Sequence, residues 1–379
     1  MDKILEFIEL QDTISYNQSF DLALKCSRLI ASGTEEELVM ARKIIIRVLD
    51  ELKKIPKETY DIWSDLVEAV GFYPYLEKNK KILEQNSLAD EIRIQSYKSD
   101  YLDNKYMHIK QKELSDLLKS EVNVVASAPT SFGKSLLIEE IVASGIYNNI
   151  IIIQPTLALL DETRIKLRKY KDRYKTIVRT SQAYSVDKGN LFLLTAERVM
   201  EYEEFPHIDL LIIDEFYKLS LRRKDERANI LNNAFLRIVN KYNSKFYLLG
   251  PNIDGITEGF ADKYNAVFFK SSYSLVDCDV IDKSKQLGRE LSKAKYENRK
   301  IELLCELLYE LKNEQTVLPI KNWLYYPECA DRSPLCGFDH DRCADRFWSD
   351  PVQSLRSIMR AALLLNQCSS RRYHWLLSC

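Results

Sequence analysis

The chain has 379 residues, of which 29% are charged, and its formal net charge is −1. This length gives room for two or three domains, each with a core of its own. The balanced charge excludes a general basic field, so any contact with nucleic acid has to be local.

The cysteines and the apolar runs bear on the compartment. Only Cys26, Cys278 and Cys305 precede residue 320, and we expect them to be reduced packing residues of an intracellular protein. The first residues lack the basic flank and apolar core of a secretory signal. Because no apolar run near the middle approaches the ~20 residues of a membrane span, we expect a cytoplasmic protein without a membrane segment.

Residues 1–98 are predicted to form a helical accessory region. Thr34 and Glu37 have the spacing of a helix N-terminus, and apolar residues then recur on one face until Pro56. Nothing in this region carries chemistry. A structural role is favoured, with partner binding as the alternative.

A strand, a loop and a helix follow in a pattern typical of a phosphate-binding loop. Val122–Val125 predicts a buried strand, and an amphipathic helix is predicted to open at Leu136. Loops of this kind turn backbone N–H groups toward a polyphosphate and add a lysine and a hydroxyl, here Lys134 and Ser135. The residues that we expect around the nucleotide are Ala128, Pro129, Thr130, Ser131, Phe132, Gly133, Lys134 and Ser135.

The next strand, from Asn149, ends at Pro155 and Thr156. In open parallel sheets ligands bind at the carboxyl ends of strands, so this end is predicted to share a rim with Lys134. A helix is predicted over 158–175. Its seven lysines and arginines favour either a solvated face or contact with nucleic acid, and the sequence leaves both open.

Two further strands are predicted to end at polar residues on the same rim. Residues 190–195 lead into Thr195, Glu197 and Arg198, where Thr195 caps a helix, contacts a phosphate backbone, or does both. The apolar run after Asp209 ends in Asp214 and Glu215, which we expect to hold Mg²⁺ and to orient the attacking water, respectively.

Together these motifs resemble the first RecA-like domain of superfamily 2 helicases, the DEAD/DEAH-box group, over about Lys105 to Leu318. The resemblance implies a doubly wound parallel α/β sheet that binds ATP and Mg²⁺ (through Ser135 and Asp214) and acts on nucleic acid. It implies that Gln111 reads the adenine edge, although a surface glutamine that opens a helix is the alternative. The positions that match nucleic-acid-binding motifs of the family are Pro155, Thr156, Thr195, Glu197 and Arg198.

Two segments depart from the family pattern. The strand predicted over 245–250 ends in Gly250, Pro251 and Asn252, where the family has a Ser-Ala-Thr type segment that links nucleotide and nucleic acid. Phe216 and Tyr217 replace the small and polar residues that usually follow the acidic pair. We therefore expect the coupling between ATP and nucleic acid to differ here.

The predicted domains are 1–98, the RecA-like domain over 99–299, a linker helix and the start of a second RecA-like domain over 300–318, and an aberrant, disordered tail over 319–379. The tail holds one Lys, seven Arg, three of the four Trp and five of the eight Cys. This shift indicates read-through after a frameshift or an insertion. The alternative is a metal site at Cys329, Cys336, His340 and Cys343, but the spacing lacks a C-x-x-C pair.

The sequence thus predicts an ATP-binding domain of a nucleic-acid-dependent ATPase that drives strand translocation or unwinding. Because no arginine motif of a second domain is recognised, we expect this chain to be inactive in unwinding. Two alternatives stay open: a non-hydrolysing fragment that binds nucleotide and nucleic acid, and a nucleotide switch that acts on protein partners.

Overall fold

The computed structural model describes residues 8, 11–83, 87–216, 226–251, 253–276, 278–280 and 373–375. The chain forms two compact units, residues 1–277 and 278–379. Several predictions fall outside the described residues: Tyr217, Asn252, the linker over 300–318, and all of the tail except Tyr373–Trp375.

The first part of unit 1 is helical, as the apolar spacing predicts. Ser15, Thr34 and Ser87 each accept a backbone N–H of the following first turn and so start a helix. Trp63 and Phe72 lie fully buried in the core of this region. Its helices are α1 (Tyr16–Ser32), α2 (Glu35–Asp50), α3 (Tyr60–Ala69), α4 (Tyr73–Asn79) and α5 (Leu88–Ser96).

A seven-stranded parallel sheet forms the centre of the rest of unit 1. Its inner strands are short, continuous aliphatic runs, because both faces of a parallel sheet are covered. The strands are β1 (Asn123–Ser127), β2 (Asn149–Ile153), β3 (Tyr174–Ile177), β4 (Gly189–Leu194), β5 (Leu210–Asp214), β6 (Lys245–Gly250) and β7 (Ala266–Lys270). Their order is β3-β4-β2-β5-β6-β1-β7.

Helices cover both faces of the sheet. Alternate residues of β6 separate the two layers of core, since Tyr247 packs in the cluster that includes Leu137, and Phe246 in the cluster that includes Phe235. The helices are α6 (Ile109–Lys119), α7 (Lys134–Ser144), α8 (Leu157–Leu167), α9 (Ala196–Glu201), α10 (Glu226–Tyr242) and α11 (Phe260–Tyr264). The doubly wound RecA-like α/β fold predicted from the sequence is confirmed.

Two predicted helix boundaries are wrong. The helix expected over 158–175 ends at Leu167, and a 3₁₀ turn (Arg168–Tyr170) leads into the edge strand β3. The charged run concealed this break, because an edge strand carries polar residues as readily as a solvated helix does. The helix after the loop begins at Lys134 rather than Leu136.

In unit 2 the described residues form two short parallel strands, β8 (Cys278–Val280) and β9 (Tyr373–Trp375). The candidate metal ligands between Cys329 and Cys343 lie outside the described residues. Among the helices that the structure describes, none has the length and apolar character of a membrane span.

Candidate nucleotide site

The loop between β1 and α7 has the conformation that its glycine requires. Ala128 continues β1 by donating its N–H to the carbonyl of Gly250 at 3.0 Å, and Thr130–Phe132 then make a 3₁₀ turn. Gly133 has φ +86°, a left-handed conformation that a Cβ would strain. A Cβ there would also overlap Nε2 of Gln111. The chain can therefore turn directly from the loop into α7.

Lys134 lies across this loop. Its Nζ donates to the carbonyl of Ala128 at 2.9 Å. Burial lowers the pKa of Lys134, while Asp214 and Glu215 oppose that shift by attracting the ammonium charge. A single desolvated cation therefore faces the acidic end of β5.

Asp214 is held by two hydrogen bonds at the carboxyl end of β5. Its Oδ1 accepts the N–H of Glu215 at 2.9 Å, and its Oδ2 accepts Nε2 of Gln154 at 3.3 Å. The oxygen of the Gln154 amide accepts the hydroxyl of Thr163 at 2.8 Å, which fixes the orientation of the amide. Burial raises the pKa of Asp214. Gln154 was not among the predicted site residues, although its place directly after a buried strand next to β5 is a usable signal.

Glu215 has φ +58° and is one of four described non-glycine residues with positive φ. For a residue with a Cβ the left-handed region costs about 1–2 kcal/mol. Such strain is typical of residues whose position is set by function. The strand β5 ends at Asp214, directly before this left-handed residue.

Gln111 is buried, with 2% of its surface exposed, so the alternative that it is a surface glutamine is wrong. It closes a reciprocal cap at the start of α6, in which Oε1 accepts the N–H of His108 and Nδ1 of His108 accepts the N–H of Gln111. Nε2 of Gln111 donates to the carbonyl of Phe132 at 2.8 Å. Gln111 therefore supports the loop directly, and its role at adenine stays a prediction.

His108 is a second support that the sequence analysis missed. Its Nε2 lies 3.1 Å from the same Phe132 carbonyl. Since Nδ1 accepts a backbone N–H, Nε2 carries the proton and donates. Burial lowers the pKa of His108 to about 3, so the ring is neutral at physiological pH. The only sequence signal for this role was its position three residues before Gln111.

One hydroxyl and one carbonyl of the loop contact the surrounding structure. Ser131 Oγ lies 2.8 Å from Ser274 Oγ, beyond the end of β7. The carbonyl of Ser135 accepts Nζ of Lys166 at 2.9 Å. The side chain of Thr130 is outside the described part of the chain.

The predicted nucleic-acid residues lie at the ends of β2 and β4, the two strands next to β5 on one side. Thr156 caps α8 by accepting the N–H of Leu159 at 3.3 Å, and Thr195 caps α9 in the same way. The predicted capping role of Thr195 is therefore confirmed. Arg198 donates Nη1 to the carbonyl of Val178 at 2.8 Å, Glu197 lies in the first turn of α9, and Pro155 precedes Thr156.

The basic run after Thr156 is largely engaged within the protein. Lys166 and Lys169 both pair with the buried Glu139, at 3.1 and 2.5 Å. Arg173 donates to the carbonyl of Ala143, and Arg164 pairs with Asp161. These bonds favour the interpretation that the run stabilises α7 and α8 over one in which it forms a free basic patch.

Comparisons with known proteins agree with this geometry. The family described as DEAD/DEAH box helicase matches residues 108–247, and the family described as Anti-bacteriophage protein B N-terminal domain matches residues 1–91. Anti-bacteriophage protein B of Escherichia coli (strain K12) is 34% identical over 273 residues, which are 69% of this chain and 36% of that protein. The chain thus spans about a third of that relative's length.

Among solved structures, this chain is similar to the UvsW helicase from bacteriophage T4, with 21% identity and a TM-score of 0.30. The match covers 50% of this chain and 69% of the UvsW chain. The fold assignment therefore rests on the order and direction of the strands, not on this match.

Proposed function

Since residues 108–247 belong to the DEAD/DEAH box helicase family, we propose that this chain binds ATP with Mg²⁺ as part of a nucleic-acid-dependent ATPase that translocates on strands or separates them. The observation that carries the proposal is the convergence of Lys134, Asp214 and Glu215. They come from two different strand ends, and the two acids act electrostatically on the lysine. A half-buried cation that faces two carboxylates suits a metal-bound polyphosphate.

The residues present fit such a ligand. Gly133 has no Cβ, and the loop has no room for one. The first amides of α7 have no intrahelical acceptor, as at any helix start, and are free to bind an anion. Ser135 and Asp214 are the oxygen donors that would hold the metal, because a hydroxyl and a carboxylate suit Mg²⁺. When bound, Mg²⁺ neutralises phosphate charge and orients the oxygens around it.

The protein side chains would then act in sequence. Lys134 exchanges the carbonyl of Ala128 for phosphate oxygens, which replaces a neutral acceptor by a charged one. Glu215 orients the attacking water and accepts its proton. Gln154 keeps one Asp214 oxygen fixed, so that the carboxylate does not have to reorganise when the metal binds.

We further propose that the rim formed by the ends of β2 and β4 binds the sugar-phosphate backbone of a nucleic acid. Thr156 and Thr195 each open a helix there, and helix starts bind phosphate without reading bases. The match of residues 1–91 and the similarity to Anti-bacteriophage protein B support a role in defence against bacteriophage.

Hydrolysis by the 379-residue chain is proposed to be slow. In the resembled family, ATP lies between two RecA-like domains, and arginines of the second stabilise the transition state. Such arginines contribute roughly 10³ to 10⁵ in rate. No such arginine motif is recognised in the sequence, so we expect ATP binding with little turnover and no strand separation.

The test is the binding of a fluorescent ATP analogue to the wild type, to Lys134→Ala and to Lys241→Ala. Lys241 lies in the last turn of α10, at the opposite end of the sheet from the loop. The substitution Lys241→Ala therefore removes the same charge far from the site. Lys134→Ala is expected to abolish binding or weaken it strongly, and Lys241→Ala to leave it unchanged. Equal affinity of all three proteins would refute the site.

Two further measurements separate the alternatives. ATP turnover that is slow but stimulated by nucleic acid singles out the ATPase, whereas salt-sensitive strand binding without any turnover singles out the non-hydrolysing fragment. Plaque counts in cells that express the chain test the defence role. Protection that Lys134→Ala removes supports it, and the absence of protection in the wild type contradicts it.

A further inference from the structure

Residues 271–276, which follow β7 and which we call the bridging segment, contact the helical region on one side. Tyr273 in its middle is 2% exposed. The Tyr273 hydroxyl donates to the carbonyl of Val70, and its ring packs edge-on against Phe72 at 5.6 Å between centroids. The hydroxyl of Tyr75 donates to the carbonyl of Leu275 at 2.6 Å. The helical region thus holds the segment by hydrogen bonds in both directions.

On its other side the bridging segment contacts the phosphate-binding loop. The ring of Tyr273 stacks on His108, with centroids 4.4 Å apart and planes 17° apart. His108 in turn meets the ring of Phe132 edge-on at 4.8 Å and donates to its carbonyl. Ser274 and Ser131 form a second contact through their hydroxyls.

The stack extends into α2. The guanidinium of Arg42 lies 4.7 Å from the centre of the Tyr273 ring, and Arg42 pairs with Glu35 at 3.0 Å. Ser272 donates to the same Glu35. A cation, a phenol and an imidazole therefore connect α2 with the carbonyl that directly precedes Gly133.

A backbone contact runs parallel to the stack. The N–H of Ile109 donates to the carbonyl of Gly71 at 3.2 Å, and a Cβ on Gly71 would overlap the side chain of Ile109. The helical region and the first turn of α6 therefore pack closely enough to exclude a side chain at position 71. Because packed side chains shift between discrete arrangements rather than deform continuously, a move of the loop has to be accommodated by this contact.

We propose that the helical region positions the phosphate-binding loop through the bridging segment, with His108 and Tyr273 as positioning residues, so that nucleotide binding and the stability of the helical region are coupled. This inference rests on the proposed ATP site. By reciprocity, whatever the helical region contributes to nucleotide affinity, the nucleotide contributes to the stability of the helical region.

Backbone hydrogen exchange tests the coupling in the full chain, with and without Mg²⁺ and ATP analogue. In the wild type the analogue is expected to slow exchange in the loop (129–135) and also at residues 70–76, whose described hydrogen bonds outside the helical region go to the bridging segment and to Ile109. His108→Asn keeps a side chain that caps α6 but is too short to reach the Phe132 carbonyl. In this variant the slowing at 70–76 is expected to disappear.

Affinity measurements give the reverse direction. The loss of one neutral hydrogen bond corresponds to about 2- to 12-fold in affinity, so His108→Asn is expected to weaken analogue binding by that factor. Tyr273→Leu, which removes the stacked ring, is expected to do the same, whereas Tyr273→Phe keeps the ring and should bind more tightly than Tyr273→Leu. Ser244→Ala is the control, since it breaks a buried hydrogen bond to the carbonyl of Ile208, where β5 and β6 begin and far from the loop.

The outcomes separate this inference from the ATP site. Slowed exchange in the loop without any change at 70–76 overturns the coupling and leaves the ATP site intact. Equal weakening by Ser244→Ala and His108→Asn assigns the effect to general stability and also overturns it. If the analogue does not bind the wild type, the ATP site fails. The positioning of the loop by the bridging segment then stands only if His108→Asn speeds loop exchange in the nucleotide-free protein while Ser244→Ala does not.

Discussion

Replacing Gly133 by alanine probes the geometry of the loop most directly. Gly133 has φ +86°, and a Cβ there would overlap Nε2 of Gln111. The left-handed conformation costs an alanine about 1–2 kcal/mol. Displacing Gln111 from the Phe132 carbonyl costs about 0.5–1.5 kcal/mol more. We therefore expect the unfolding free energy of unit 1 to fall by about 1.5–3.5 kcal/mol.

Gly33 provides the matched control. Its φ is +72°, but a Cβ there would have no neighbour within 4 Å, so Gly33→Ala should cost only the conformational part. Urea unfolding measures both variants, and analogue binding should weaken in Gly133→Ala alone. In a Gln111→Ala background the cost of Gly133→Ala should shrink to that of Gly33→Ala. Equal costs for the two glycines in the wild-type background would refute the contact between Gly133 and Gln111.

Three further predictions use single side chains. Glu215→Gln should leave analogue affinity nearly unchanged and reduce whatever ATP turnover a phosphate-release assay detects, because the amide keeps the shape and loses the base; lost affinity with retained turnover would exchange the roles of Glu215 and Asp214. Burial lowers the pKa of His108 from 6.5 to about 3, so the unfolded chain binds the proton first as the pH falls. The unfolding free energy of unit 1 should therefore fall by about 2 kcal/mol between about pH 7 and pH 5, as measured by urea unfolding. His108→Asn should not show this loss. The hydroxyl of Tyr247 is buried and has no hydrogen-bond partner among the described residues, so Tyr247→Phe should stabilise unit 1 by about 1 kcal/mol; a destabilised variant would mean that the hydroxyl has a partner.

The strands of the sheet could be predicted from the sequence because their signal is local. β6 has the predicted bounds, and β2 and β5 follow aliphatic runs that only a doubly covered parallel sheet accommodates. The loop motif and the acidic pair then placed Lys134 and Asp214 on one rim, since parallel strands end on the same edge. The predicted roles of these residues stay predictions until they are measured.

The supporting residues could not be predicted, because their environment is formed by distant parts of the chain. The sequence around Tyr273 reads as a polar stretch after a strand, yet this tyrosine is buried between α2 and His108. Gln111 lies at the start of a helix, as its sequence context predicts. Its buried side chain, however, donates to the carbonyl of Phe132, which comes 21 residues later. Contacts of this length leave no periodicity for a sequence analysis to detect.

The two left-handed residues of the site explain why these supports matter. Gly133 adopts its conformation without a side-chain penalty, whereas Glu215 costs about 1–2 kcal/mol that the rest of the fold has to offset. Glu215 directly follows the buried strand β5, and its N–H donates to the side chain of Asp214. The carbonyl of Phe132, directly before Gly133, accepts hydrogen bonds from Gln111 and His108. Because each position is fixed by protein side chains, the proposed site would be preorganised, and our inference is that the helical region contributes to this through Tyr273, which stacks on His108.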